Sequence, residues 1–245
     1  NPLEYYDINV LGTISLLKAM KVSGVKEFLF SSSASIYGEP DYLPIDEKHP
    51  LKAINPYGET KLIVERILKD LSNSDKEWSI ACLRYFNPIG AHESGLIGEC
   101  PKGIPNNIFP LINNTALGIQ KEFKIFGKDW PTKDGTPIRD YIHIMDLAEA
   151  HLKVLEYLIS KKDSHLYVNV GTGRGTSVLE LIKVFEKVNN IKINYIFAGR
   201  RSGDIPYAVA DNSMLISKLN FIPKRSIEDM CRDGRKWRML YPNGY

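Results

Sequence analysis

A chain of 245 residues is long enough to bury a full core and to hold one large or two small domains. A hydrophobic share of 43%, a charged share of 25% and a net charge of +3 give no reason to invoke nucleic acid or a membrane, and no basic block stands out. Cys82, Cys100 and Cys231 lie too far apart for a disulfide framework or a zinc site and suit a reducing compartment, and no apolar run approaches the length of a membrane helix.

Residues 3 to 22 predict an amphipathic helix, with Leu3, Tyr6, Val10, Leu17 and Met20 near helical spacing and Gly24 as its stop. Gly12 weakens that helix relative to alanine unless something packs closely against it. Val25 to Phe30 reads as a buried strand, which puts Ser31-Ser32-Ser33 at its C-terminal end, where open α/β sheets keep their ligands. Residues 34 to 55, with Gly38, Pro40, Pro44 and Pro50, form an irregular loop. Asn55 is a good N-cap and Pro56 fits the first helical position, so a helix runs from Pro56 to about Leu71. It sets Tyr57 and Lys61 one turn apart on one face. A tyrosine with a pKa of about 10 is a poor base at pH 7, and a nearby ammonium favours the phenolate. The pair alone is commonplace on exposed helices and carries weight only with its surroundings.

Trp78 to Tyr85 reads as the next buried strand, and Phe86-Asn87-Pro88 after it reads equally well as a strand end with an Asn-Pro turn. From about residue 92 the strand–helix alternation loosens, which suits a smaller second lobe. Residues 123 to 126 predict a short strand, residues 134 to 137 a turn, and Asp146 the N-cap of a helix from Leu147 to Leu158. His92, His143 and His151 are scattered, so no metal site is expected. Gly171-Thr172-Gly173-Arg174-Gly175-Thr176 follows a strand, Leu166 to Val170, and precedes a helix. The next strand, Ile191 to Ile196, has no acidic end, so the turn reads as a structural helix entry rather than a dinucleotide fingerprint. Residues 211 to 241 hold two helical stretches, the second with a solvated basic face.

Three tracts, Ser31-Ser32-Ser33-Ala34-Ser35-Ile36-Tyr37-Gly38, Asn55-Pro56-Tyr57-Gly58-Glu59-Thr60-Lys61 and Ile138-Arg139-Asp140-Tyr141-Ile142-His143, occur in this order. Together they resemble the extended short-chain dehydrogenase/reductase family and, more narrowly, its UDP-glucose 4-epimerases. The resemblance covers essentially the whole chain. It implies an α/β fold: an incomplete Rossmann-like doubly wound parallel sheet in residues 1–92, and a smaller α/β substrate lobe mainly in residues 93–245, with some segments returning to the sheet. It also implies NAD as cofactor, a UDP-sugar as substrate and interconversion of UDP-glucose and UDP-galactose. Tyr57 would be the base, Ser33 would hold the sugar 4-oxygen, and Lys61 would lower the tyrosine pKa and hold the nicotinamide ribose. Asn9 and Phe86 would join Ser33, Tyr57 and Lys61 beside the cofactor. Ser33, Tyr57, Asn87, Asn107 (in the loop Ile104 to Pro110), Arg139, Arg201, Asp204 and Ala208 would contact the substrate.

The family's opening strand and Gly-rich turn have no counterpart before Asn1. An N-terminally shortened, inactive form with an exposed sheet edge is therefore expected. A cytoplasmic homodimer, paired through residues 3–22 and 56–71, is expected by analogy. The resemblance puts Ala208 at the position that borders the sugar's 2-substituent in this family, where its small size would leave room for N-acetylated sugars. The alternatives are a UDP-N-acetylhexosamine or UDP-glucuronate 4-epimerase, or an inert fragment that binds nucleotide-sugar weakly.

Overall fold

The computed structural model describes residues 1–103, 105–161 and 165–245. Helices α1 (Pro2–Tyr5) and α2 (Gly12–Val22) flank a π-helical stretch, Tyr6–Leu11. Strand β1 (Glu27–Ser33), a 3₁₀ turn (Ala34–Ile36), α3 (Pro56–Ser74) and β2 (Ser79–Tyr85) follow. Next come β3 (Asn87–Ile89), α4 (Ile108–Ala116), β4 (Phe123–Phe126), β5 (Ile138–His143) and α5 (Ile144–Ser160). The chain closes with β6 (His165–Val170), β7 (Gly175–Ser177), α6 (Val178–Asn189), β8 (Tyr195–Ala198), β9 (Tyr207–Ala208), α7 (Ser213–Leu219) and α8 (Ile227–Leu240).

The chain forms two units. The first comprises Asn1–Phe86, Glu149–Gly173 and Ala210–Ile222. Its sheet has the order β1-β2-β6, all parallel. β2 is buried along nearly its whole length, as a central parallel strand should be. β1 departs from the expected buried strand: only Phe30 and Ser32 are buried, and Val25 lies outside the strand and exposed. Alternate residues face α3, Phe30 sharing a core with Val64 and Leu68 and Ser32 bonding Glu65, and the others do not. Leu17, Phe30, Val64, Leu68, Trp78, Ile80 and Cys82 form the core between helix and sheet. The amphipathic pattern expected for residues 3–22 is only partly met, since Leu17 is buried but Leu3 is 80% exposed.

The second unit comprises Asn87–Ala148, Arg174–Val209 and Pro223–Tyr245. Here β5 is the hub. It pairs with β3 and β9 in parallel and with β7 in antiparallel, while β4 and β8 form a separate parallel pair. Ile112, Phe123, Ile125, Tyr141, Leu181, Phe185 and Met230 belong to its core. Three differences from the sequence expectations concern this unit. Asn87–Ile89 is a strand rather than a turn, because it finds Tyr141–His143 as a parallel partner. The strand expected at residues 191 to 196 begins only at Tyr195. Finally, α5 begins at Ile144, so Asp146 is not its N-cap. The Asp146 carboxylate is fully buried and accepts from the backbone N–H of Lys224 at 3.1 Å and of Arg225 at 2.9 Å, as well as from the Arg225 guanidinium.

Candidate functional site

In the first unit the site grows from the entry to α3. Asn55 caps the helix, its Oδ1 accepting from the Gly58 N–H at 2.8 Å, and Pro56 fills the first turn. Glycine is required at position 58: a Cβ there would lie 2.7 Å from the Ser35 carbonyl oxygen and 3.3 Å from Ala53 Cβ. This close approach brings Tyr57 to the end of β1, where the Ser33 side chain is near enough to favour its phenolate. Ser33 Oγ also accepts from the Ser35 N–H at 3.2 Å and the Ser35 hydroxyl at 2.8 Å. Lys61 Nζ donates to the Ser31 carbonyl at 2.8 Å and sits 5.5 Å from the Tyr57 ring centroid and 5.0 Å from that of Phe30. Asn9 Nδ2 donates to Thr60 Oγ1 at 3.0 Å, and Thr60 Oγ1 donates to the Tyr57 carbonyl at 2.7 Å. Phe86 is buried just beyond β2.

One expectation is not met in this geometry. Burial, with Tyr85 and Tyr5 nearby, holds the Tyr57 phenol above its ordinary value, and the Ser33 side chain only partly offsets this. The Lys61 ammonium is itself pushed down by burial, and it is turned toward the Ser31 carbonyl rather than the phenolic oxygen.

In the second unit Asn87, Asn107, Arg139, Arg201 and Asp204 line one cavity of about 190 Å³. Arg139 donates to the carbonyls of Ile138 at 2.9 Å and Ile205 at 2.8 Å, and stands 3.7 Å from Asp204. Arg201 makes a forked pair with Asp204, at 3.2 and 3.0 Å, and lies over the Phe126 ring. Two guanidiniums converging on a cleft suit a phosphate-bearing ligand. Asn107 stands at the start of α4 without capping it, and its Nδ2 donates to Glu99 at 2.9 Å. Ile104, in the same predicted loop, lies outside the described residues. Ala208 is not among the cavity residues; it pairs in register with Arg139. The Gly171–Thr176 tract does not open a helix directly, because β7 intervenes. Ser177 and Glu180 satisfy the α6 N-terminus with their own capping box. Gly175 is needed for packing, since a Cβ would lie 2.6 Å from Ile138 Cγ2.

Sequence reasoning missed Tyr141 and Phe126 in this cavity. The Tyr141 hydroxyl is buried without a partner among the described residues, and burial raises its pKa. The signal was present: Tyr141 is two residues after Arg139 on a strand, so the two share a face. Among the described residues no cluster of metal-binding side chains occurs, and no helix is long and apolar enough to cross a membrane.

The profile of the NAD dependent epimerase/dehydratase family matches residues 1–171. UDP-glucose 4-epimerase from Bacillus subtilis is 51% identical over 100% of this chain and 72% of its own length. The crystal structure of UDP-glucose 4-epimerase from Bifidobacterium longum in complex with NAD+ and UDP is 46% identical. It superposes with a TM-score of 0.96 over 100% of this chain and 72% of that one. The UDP-Glc/GlcNAc 4-epimerase from Campylobacter jejuni is 37% identical, with a TM-score of 0.81 over 98% of this chain and 72% of that one. The expected Rossmann-like α/β class is therefore the class of this fold. The chain belongs to the NAD dependent epimerase/dehydratase family, within its group of UDP-glucose 4-epimerases.

Proposed function

We propose that this chain carries the chemistry of NAD-dependent interconversion of UDP-glucose and UDP-galactose. The observation that carries the reading is the Ser33–Tyr57–Lys61 cluster at the end of a parallel strand, in a chain so similar to enzymes of that activity. The donor set suits NAD. An ammonium has three donors, Ser31 takes one from Lys61, and the others can meet a ribose diol. Asn9, Ser33, Tyr57, Lys61 and Phe86 would hold the cofactor. When bound, NAD supplies reversible acceptance of hydride from the sugar C4.

The remaining work falls to side chains of the protein. Tyr57 takes the proton of the sugar 4-hydroxyl and later returns it. Ser33 holds the 4-oxygen and relays the proton to Tyr57. Lys61 favours the phenolate over the neutral phenol that burial otherwise maintains. Arg139 and Arg201 grip the diphosphate, Asp204 accepts from the ribose hydroxyls, and Asn87 and Asn107 contribute further polar contacts. With UDP held at these points, the sugar turns to present its other face. Ser33 and Tyr57 thus serve both substrate and cofactor. The first unit is the NAD-binding part and the second the UDP-sugar lobe.

Ala208 supports a broader substrate range that includes N-acetylated UDP-hexoses, as for the Campylobacter jejuni relative. A homodimer is part of the same reading, supported by the exposed Leu3, Ile8, Leu11 and Leu16 on the first helical run. A cytoplasmic setting is supported by the absence of a disulfide among Cys82, Cys100 and Cys231.

The test is conversion of UDP-galactose to UDP-glucose by the full-length protein with NAD, followed chromatographically, in wild type and Tyr57→Phe. Tyr57→Phe is expected to lower turnover about 10²–10⁴-fold while UDP affinity stays within about twofold. Near-normal turnover in that variant removes Tyr57 from the role. A wild type that binds NAD and UDP-galactose yet forms no product overturns the function.

A further inference from the structure

A buried ion pair in the first unit takes no part in the chemistry above. Glu65 on α3 and Arg84 on β2 are 2% and 3% exposed. Arg84 Nε donates to Glu65 Oε1 at 3.0 Å and Nη2 to Oε2 at 2.6 Å, a forked geometry with a fixed orientation. Ser32 Oγ donates to the same Oε1 at 2.6 Å. Arg84 Nη1 donates to the Tyr37 hydroxyl and to the Glu47 carbonyl, both at 3.1 Å. The Tyr37 hydroxyl in turn donates to Asn169 Oδ1 at 2.7 Å, on β6. One carboxylate therefore ties the helix to β1 and, through Arg84, to β2 and β6.

Stability does not explain such a pair well. Taking both charges out of water offsets most of their attraction, and apolar side chains of similar volume commonly serve as well. Direction explains it better. Tyr57, Lys61 and Glu65 recur every fourth residue and so lie along one face of α3. They meet three successive residues of β1: Tyr57 meets Ser33, Lys61 the Ser31 carbonyl, and Glu65 Ser32. Lys61 holds β1 through one hydrogen bond, to the Ser31 carbonyl, whereas the Glu65 carboxylate is held by three. Ser32 stands opposite Arg84 in the ladder, so the strand register brings both donors to one carboxylate.

We infer that Glu65, gripped by Arg84 and Ser32, is a positioning residue that fixes the rotation and register of α3 on β1, so that Tyr57 and Lys61 stand at Ser33 and Ser31. The inference rests on the epimerase reading for what Tyr57 does, but not for where it stands.

The experiment compares wild type, Ser32→Ala, Glu65→Gln and the double variant Glu65→Leu/Arg84→Met in the full-length protein with NAD. It reads kcat and KM for UDP-galactose, the melting temperature, and the titration of Tyr57 by ¹³C NMR with labelled tyrosine, assigned by difference with Tyr57→Phe. Glu65→Gln is expected to lower kcat about tenfold or more with KM within about twofold, and to move the Tyr57 titration. Ser32→Ala is expected to do the same to a smaller degree. The apolar double variant is expected to regain the melting temperature lost in Glu65→Gln but not the kcat. Recovery of both would make the pair merely structural and overturn the inference, as would wild-type kcat and an unmoved Tyr57 titration in Glu65→Gln. If the wild type itself shows no turnover, the epimerase reading falls. The Tyr57 titration alone then decides the positioning role.

Discussion

The Lys61 ammonium donates to the Ser31 backbone carbonyl at 2.8 Å, which anchors the helix bearing Tyr57 to the strand bearing Ser33. In the proposed mechanism the same nitrogen supports a phenolate. Lys61→Gln can keep a donor for the carbonyl but removes the charge. The expected outcome is a protein with nearly unchanged melting temperature and turnover lowered about 10²-fold, measured with UDP-galactose and NAD. Equal turnover would show that the charge is not needed and that the lysine serves only as an anchor.

The position of Ala208, paired with Arg139, sets a second expectation. Wild type should interconvert UDP-GalNAc and UDP-GlcNAc as well as the parent sugars. Ala208→Tyr should lose the N-acetylated pair by about tenfold or more while keeping UDP-galactose, because added bulk discriminates by a few kcal/mol at most. Exclusion of both N-acetyl sugars by wild type refutes this.

Gly58 offers a steric test of the helix entry. In Gly58→Ala the new methyl would stand 2.7 Å from the Ser35 carbonyl oxygen, so the first turn of α3 must shift. Overpacking of this kind costs about 1–3 kcal/mol, which for a chain of this size lowers the melting temperature by roughly 2–4 °C per kcal/mol. Turnover should fall further than the folded fraction explains, since Tyr57 is the adjacent residue.

His143 gives a pH dependence whose sign follows from its bonds. Its Nδ1 accepts from the Met145 N–H at 3.0 Å, so the neutral ring carries its proton on Nε2, which faces Asp233 at 3.4 Å. Burial, with Arg225 nearby, lowers its pKa despite Asp233 and Asp146. The unfolded chain then binds the proton more readily. This contribution to stability is fully present above about pH 6.5 and is lost as pH falls toward the folded pKa. His143→Gln should flatten the acid side of the melting-temperature profile below about pH 6.5, relative to wild type. An unchanged slope would assign that slope to other groups, His165 among them, whose pKa burial also lowers.

Local signals made much of this legible in the sequence. Asn55-Pro56 announces α3, the Trp78–Tyr85 run announces β2, and the serines at the end of β1 point to the site before any coordinate is known. β3, β9 and α4 were not legible. The two strands hold three and two residues, too few to display a period, and they exist only because β5 lies beside them. The same reason hid the Glu65–Arg84 pair. Its partners are 19 residues apart on a helix and a strand, and only the β1–β2 register brings Ser32 to the same carboxylate. Asp146 misled because an acidic residue just before a helical run looks like a cap, whereas its burial lets it gather amides from a distant segment.

Each unit is assembled from three separate stretches of chain, and this governs the order in which the protein is completed during synthesis. β1, α3 and β2 emerge before β6 and include Ser33, Tyr57 and Lys61. β2 receives its second neighbour only when β6 appears, some 80 residues after Tyr85 (165 − 85). At about 5–20 residues per second that wait lasts roughly 4–16 s. Through that interval the strand–helix–strand that bears the candidate site has one side of β2 unpaired, and Arg84 has yet to gain the Tyr37–Asn169 link that reaches β6. The nascent chain is therefore open to mispairing along β2 until β6 is made.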